Sequence, residues 1–412
     1  MRSGVPRVPT RVLSLVLVAG LSSCVHDTGA PPVTGLTMIE SPAGPASSEP
    51  NLAVDERGRV HLTWQERTSD STHGVRYAIF DGTSWTTPRT IVERGDLFVN
   101  WADFPSVMVA PPGRVLVHWL QRSGSGRYSY EVRVVQSLDD GATWSRPLIP
   151  HRDGLGAEHG FVSLFPAEGD SVEAVWLDGR HTVDRTRPRE MQLASTRIAT
   201  DGGLGAEVML DTRICDCCQT AAAMTSQGPI VVYRDRSADE VRDIAAVRRL
   251  ASGWTRPTLV YADGWEIAAC PVNGPAVAAA SDTVVVAWFT GAQDTARVRV
   301  AFSFDAGATF GAPVRVDDGA PAGRVDVVLD GTGRAIVSWL ERTTAEDAEV
   351  RLRAVGVDGR PSGAFTVSKS SAARSSGFPR MVRRGSELVI AWTEPGVPSR
   401  VRIAIGHLGN GE

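Results

Sequence analysis

Seven times along the chain, a run of β-branched and apolar residues ends in a large aromatic: Trp64, Trp119, Trp176, Tyr233, Trp288, Trp339 and Trp392. Successive spacings are 55, 57, 57, 55, 51 and 53 residues. The runs, such as 60–64 and 284–288, are short and bounded by Gly, Asp or Arg, which reads as strand. Each follows another strand, often opened by proline (50–54, 105–109, 275–279). Six precede a third strand of alternating polar and apolar residues, such as 75–79 and 298–302, and a weaker fourth follows each of the first six units. Four strands in a unit of about 50 residues predict an all-β chain folded as a β-propeller, here with seven blades. The seventh unit lacks a fourth strand, and residues 35–41 are a spare strand ahead of the first. That N-terminal strand is expected to complete the last blade, because closing the ring removes exposed sheet edges.

Composition agrees. The 41 glycines and 25 prolines are scattered without a triplet period, as in a turn-rich β protein. A formal net charge of −4 gives no reason to expect a nucleic-acid partner. The N-terminus reads as a targeting segment. Arg2, Arg7 and Arg11 precede an apolar stretch, 12–21, too short to span a bilayer. It ends in Leu21-Ser22-Ser23-Cys24, which resembles the lipobox of bacterial lipoproteins. The resemblance implies cleavage after residue 23, acylation of Cys24, a tether over 24–34 and a propeller over 35–412. The expected setting is the bacterial cell envelope, periplasmic or outer-surface, with the lipid as membrane partner and the protein a monomer.

Two turns between third and fourth strands, Ser137-Leu138-Asp139-Asp140-Gly141-Ala142-Thr143-Trp144 and Ser303-Phe304-Asp305-Ala306-Gly307-Ala308-Thr309-Phe310, resemble the Asp-box of the sialidase superfamily. Residues 81–85 and 252–254 look like decayed copies. In such a turn the Asp carboxylate accepts backbone N–H bonds, Gly supplies a positive φ, and the aromatic packs between sheets. The resemblance implies a sialidase-like propeller, with glycoside hydrolysis or carbohydrate binding as its family-level activity. The family's first arginine motif has no counterpart, since the matching place reads Ser48-Glu49-Pro50. The resemblance therefore assigns no catalytic residue.

In a propeller, loops entering a blade's first strand share a face with those joining its second and third strands. One face then collects residues 101–103, 158–159, 215–218 and 265–270 with Asp178, Arg180, His181, Arg234, Asp235, Arg236, Glu240 and Arg242, all from blades two to five. The equivalent loops of blades six and seven read as blander. The charged set forms either inter-blade ion pairs or an anion or sugar-carboxylate pocket with Asp or Glu as acid/base. Cys215, Cys217, Cys218 and Cys270 open neighbouring blades. They fit structural disulfides, a thiolate site for copper or zinc with His159 or His181 as extra ligand, or a catalytic thiol. Their spacing matches no standard zinc motif. His61 and His118 lie mid-strand and read as packed.

Three functions follow as expectations. The first is an envelope lipoprotein with a cysteine-based metal or redox centre on its upper face. The second is a sialidase-like glycoside hydrolase or carbohydrate binder. The third is an interaction scaffold, for instance for an envelope protein, with disulfides only.

Overall fold

The structure, a computed structural model, describes Met1, Gly4 and residues 31–184 and 186–409. The targeting segment, Cys24 and tether residues up to 30 lie outside the described residues.

Seven antiparallel sheets form a closed ring. Their inner strands, in blade order, are Ser47–Val54, Ser106–Ala110, His159–Pro166, Ala221–Thr225, Ala276–Ala280, Pro321–Leu329 and Arg380–Arg384. Each inner strand touches the next, and that of blade seven touches that of blade one. The ring is closed as predicted: Val33–Ile39 pairs antiparallel with Arg400–Leu408 as the outer strand of blade seven. Blade two is the thinnest. Beyond its three strands, the outermost position is reduced to Leu148 bridging Val134. The third strand of blade four, Ile244–Leu250, begins with an unbroken apolar run rather than an alternation, which hides it from a period-two reading.

The seven aromatics are core. Trp64, Trp176, Tyr233, Trp288 and Trp339 have no exposed surface, and Trp119 and Trp392 are 2% exposed. A buried indole N–H needs an acceptor. The acid two residues on supplies it for Trp64 (Glu66, 3.1 Å), Trp176 (Asp178, 2.8 Å) and Trp339 (Glu341, 2.5 Å). The recurring charges after the second strands are therefore, first of all, caps for the core.

The two Asp-boxes are near copies. Ser137 and Ser303 each donate to their aspartate at 2.7 Å, and the backbone N–H groups of Gly141 and Gly307 donate to the same serines at 2.8 and 2.9 Å. Asp139 and Asp305 also accept the backbone and hydroxyl donors of Thr143 and Thr309. Hydrogen bonds from Thr143 hold Asp139 down at about 2. A Cβ on Gly141 would stand 2.4 Å from the Tyr77 ring of blade one, and one on Gly307 2.3 Å from Ile230 of blade four. Trp144 meets Tyr77 edge-on, and Phe310 packs on the hydrophobic cluster between blades four and five. Each box is thus a clasp onto the preceding blade.

The axis holds a polar channel of about 210 Å³, with Asn51, Ser106, Ser163, Ala222, Val277, Asp326 and Arg380 contributed one per blade. Where the chain enters blades one, three and six, the inner strands slip register around residues of positive φ, Glu49 (53°), Phe161 (53°) and Arg324 (56°). These bulges re-aim the strand starts at the channel mouth.

Candidate functional site

The cysteines meet as expected. The Sγ atoms of Cys215 and Cys217 are 3.8 Å apart, and those of Cys215 and Cys218 are 3.5 Å apart. All three lie within 4.8 Å of one another, as do the donor atoms of Asp216, Cys217 and Cys270. All four are free thiols. Cys215 and Cys218 are buried, Cys217 is half-buried and Cys270 is exposed, so the cluster opens on the upper face. The backbone sets it: the N–H of Cys215 donates to the Arg234 carbonyl at 3.0 Å. Hydrogen bonds from the neighbouring thiols and the charges of Arg234 and Arg242 pull the Cys215 thiol down. Burial and its neighbours push Cys218 up.

The charged set on this face is paired. Arg242 spans Glu240 (2.9 Å), Asp216 (3.4 Å) and the Cys215 sulfur (3.3 Å). Arg236 grips Glu240 at 2.6 Å. Asp178 holds Arg180, which also reaches Glu207 at 2.9 Å. Arg234 is a tie-rod: 2% exposed, it donates at 2.6 to 3.0 Å to the carbonyls of Asn273, Arg242 and Phe289 and lies over Trp265. Burial pushes Asp235 up to about 6. The ion-pair reading therefore describes the set better than an open pocket does.

Neither predicted histidine joins the sulfurs among the described residues. His159 is fully buried, bonded to Asp153 at 2.8 Å and stacked on His151 with ring centroids 3.7 Å apart. His181 faces Arg187 at 3.1 Å. The donor set His151, Asp153 and His159 is close enough to share an ion, but the Arg180 guanidinium, 3.4 Å from Asp153, already supplies a cation there. His61 and His118 are packed, on Tyr77 and Ser106.

Beside the thiols stands a group of three. The Tyr130 hydroxyl lies 3.0 Å from an Asp103 oxygen and 2.8 Å from a Glu158 oxygen. One phenol proton serves two carboxyl groups, so both contacts are hydrogen bonds only if a carboxyl keeps its own proton. Burial pushes Asp103 up to about 7; burial, with Asp103, Asp216 and Cys270 nearby, pushes Glu158 up to about 8. Gly160 makes room, since a Cβ there would lie 2.0 Å from Asp103. Glu158 is half-buried and reaches the surface.

The structure adds a half that the sequence reading took as bland. At the channel mouth on the side of blades six and seven, Arg324 lies 4.8 Å and Arg374 5.9 Å from the Trp101 ring, which stacks on Phe378. Arg342 adds a third positive charge acting on Arg324. Arg324 is 5% exposed and donates only to Ser376 and to the carbonyls of residues 372, 373 and 377. Burial, with Arg342 and Arg374 nearby, lowers it to about 10. Arg342 and Arg374 are exposed and make no ion pair among the described residues. Glu49, the acid whose charge acts on Arg324, is pushed well up by burial, and one of its oxygens has no hydrogen-bond partner.

Two residues beside the cysteines join the halves. Gln219 donates to the Ala102 carbonyl and accepts from the N–H of Gly274 at 3.0 Å. Asn273 accepts from the N–H of Arg324 at 2.7 Å and donates to the Ala322 carbonyl at 3.3 Å. A Cβ on Gly274 would stand 2.2 Å from the Gln219 carbonyl oxygen. These polar residues form a belt across blades two, four, five and six.

No family model matches the sequence, and no curated protein matches it closely enough to count as a relative. Solved structures do match. A protein of unknown function from Dyadobacter fermentans aligns over 92% of this chain and 99% of its own at 14% identity and a TM-score of 0.52. The polysaccharide lyase Uly1 aligns over 87% and 90% at 10% identity, also with a TM-score of 0.52. A mutant of the NanB sialidase from Streptococcus pneumoniae aligns over 90% and 92% at 9% identity with a TM-score of 0.48. At these identities the likeness is one of fold. The chain is a seven-bladed β-propeller that carries two intact Asp-boxes.

Proposed function

We propose that the protein binds an acidic saccharide, bearing carboxylate or sulfate, at the mouth of the propeller channel. One observation carries this reading: Arg324 and Arg374 lie over the half-exposed Trp101 ring, Arg342 adds its charge to Arg324, and none of the three makes an ion pair among the described residues. Guanidinium groups bind planar anions in a bidentate way, and an indole face offers a sugar ring an apolar platform. A buried cation is costly without a counter-charge, and Arg324 is buried with two exposed arginines acting on it, so the set points to an anion that completes it. Glu158, on the same face and pushed up to about 8 by burial, supplies the raised carboxyl that a general acid needs if the bound glycan is also cleaved. The lyase of like fold agrees with this reading but does not carry it. The four thiols form a second centre of the face, for a soft metal ion or a redox pair. The chain is held at the bacterial envelope by a lipid on Cys24.

Calorimetric titration with an oligoglucuronate, its carboxyl-reduced form and a sulfated oligosaccharide tests the proposal. Binding of the acidic ligands alone, weakened about tenfold or more in Arg374→Ala, is expected. Equal binding of the neutral form, or no binding of either acidic ligand, sinks it. New reducing ends or an unsaturated product in the same mixtures would add turnover to binding. Incorporation of labelled fatty acid that survives Cys24→Ser would remove the anchor.

A further inference from the structure

We infer that Cys215, Cys217, Cys218 and Cys270 form a binding site for one thiophilic d10 metal ion, Cu(I) or Zn(II), separate from the glycan site and independent of it.

Sulfur atoms bound to one tetrahedral ion at about 2.3 Å lie roughly 3.8 Å apart. The separations of 3.8 and 3.5 Å from Cys215 to Cys217 and Cys218 match that edge without a bond between the sulfurs. A disulfide would need about 2.0 Å. Three sulfurs this close can form at most one bridge among themselves, so oxidation would strand the third unless it reached Cys270. An ion satisfies all three together.

Cys217 belongs to both donor groups, the triplet and the set with Asp216 and Cys270. It is thus the hinge between a buried three-sulfur floor and a solvent-side fourth donor. The exposed Cys270 leaves an entry path. The anionic centre has its counter-charge in place, because Arg242 lies 3.3 Å from the Cys215 sulfur and 3.4 Å from Asp216. The floor is held rigidly by the Cys215 backbone bond to Arg234 and by Gln219, one residue past Cys218. Soft thiolate donors without imidazole select Cu(I) and Zn(II) over harder ions. Each thiol that binds gives its proton to water, and no electron is transferred.

The test uses the full chain under reducing conditions, without glycan. Titration with Co(II) is expected to saturate at one equivalent with sulfur-to-cobalt charge-transfer absorption, and Zn(II) or Cu(I) should then displace it. Loss of a hydrogen-bonding partner behind a ligand costs roughly 10–100-fold in affinity, so Cys217→Ser, which removes a ligand, should cost more. Cys270→Ser, at an exposed position that does not threaten folding, should lose the four-sulfur spectrum yet keep a three-sulfur one. Counting reactive thiols in loaded Cys24→Ser protein separates the ions: one free thiol marks trigonal Cu(I) on the triplet, none marks a four-ligand Zn(II) site. The inference is overturned if reduced protein shows no sulfur charge transfer, or if both serine variants titrate like wild type. It is also overturned if protein from an oxidising compartment holds neither metal nor free thiols. None of these readouts moves if the glycan reading alone fails.

Discussion

The two halves of the propeller mouth treat charge in opposite ways. On the side of blades two to five, almost every charge has a partner: Arg242 with Glu240 and Asp216, Arg236 with Glu240, Arg180 with Asp178 and Glu207. Its surplus acids, Asp103 and Glu158, are pushed up by burial to about 7 and about 8. On the side of blades six and seven, Arg324 has an aromatic ring, Ser376, carbonyls and a Glu49 carboxyl pushed well up by burial for company, and Arg342 and Arg374 make no ion pair among the described residues. Paired charges on a rim hold the rim together. Cations without carboxylates are what an external anion completes.

The comparison breaks most sharply at Arg234. Arg234→Ala leaves three buried carbonyls without their donor, at about 1–3 kcal/mol each, and is expected to destabilise the fold by roughly 3–5 kcal/mol. A shift of less than about 1 kcal/mol in urea unfolding would show that the paired half is not structural. Next comes Trp101→Ala, expected to lower acidic-glycan affinity by about 2 kcal/mol while leaving metal binding unchanged. Loss of both would merge the two halves into one site. Arg374→Ala should cost about 1.4 kcal/mol of that affinity and leave the unfolding midpoint within error, the reverse of Arg234→Ala.

The neutral acids sharpen the same contrast through pH. In the unfolded chain, Asp103 and Glu158 ionise near their ordinary values, whereas the fold keeps their protons up to about 7 and about 8. The folded state thus binds more protons between about pH 4 and 8, and stability falls as pH rises through that window. Glu158→Gln should flatten this slope in denaturant midpoints measured across it; an unchanged slope would mean that Glu158 is not held neutral. The smallest effect is far from the mouth. Asp305→Ala removes the acceptor of one Asp-box and should cost roughly 1 kcal/mol, with no change in ligand or metal binding.

The blades could be read from the chain because each repeats one local pattern, an apolar run ending at an aromatic such as Trp288 or Trp339. The meeting of Cys270 with the triplet was legible for the same reason, since the two segments occupy equivalent places in adjacent blades. The arginine half was not. Arg324 sits on a bulge just ahead of an apolar run, where a period-two reading starts one residue later. Arg342 follows Glu341 and looks like its partner, yet Glu341 caps the Trp339 indole. Arg374 lies in a small-residue loop with no pattern at all. His159 read as a ligand candidate because it adjoins the cysteine face in sequence terms, but the fold turns it onto Asp153.

By itself the sequence determined the ring: seven repeats, a borrowed N-terminal strand, two Asp-box clasps and four thiols on one face. Only the tertiary structure decided which charges find partners, which acids burial pushes up and which arginines gather at the Trp101 ring. Strand period is a property of near neighbours along the chain, repeated until it closes. Pairing and protonation depend on distances between residues tens to hundreds of positions apart, and on burial, which no single segment encodes.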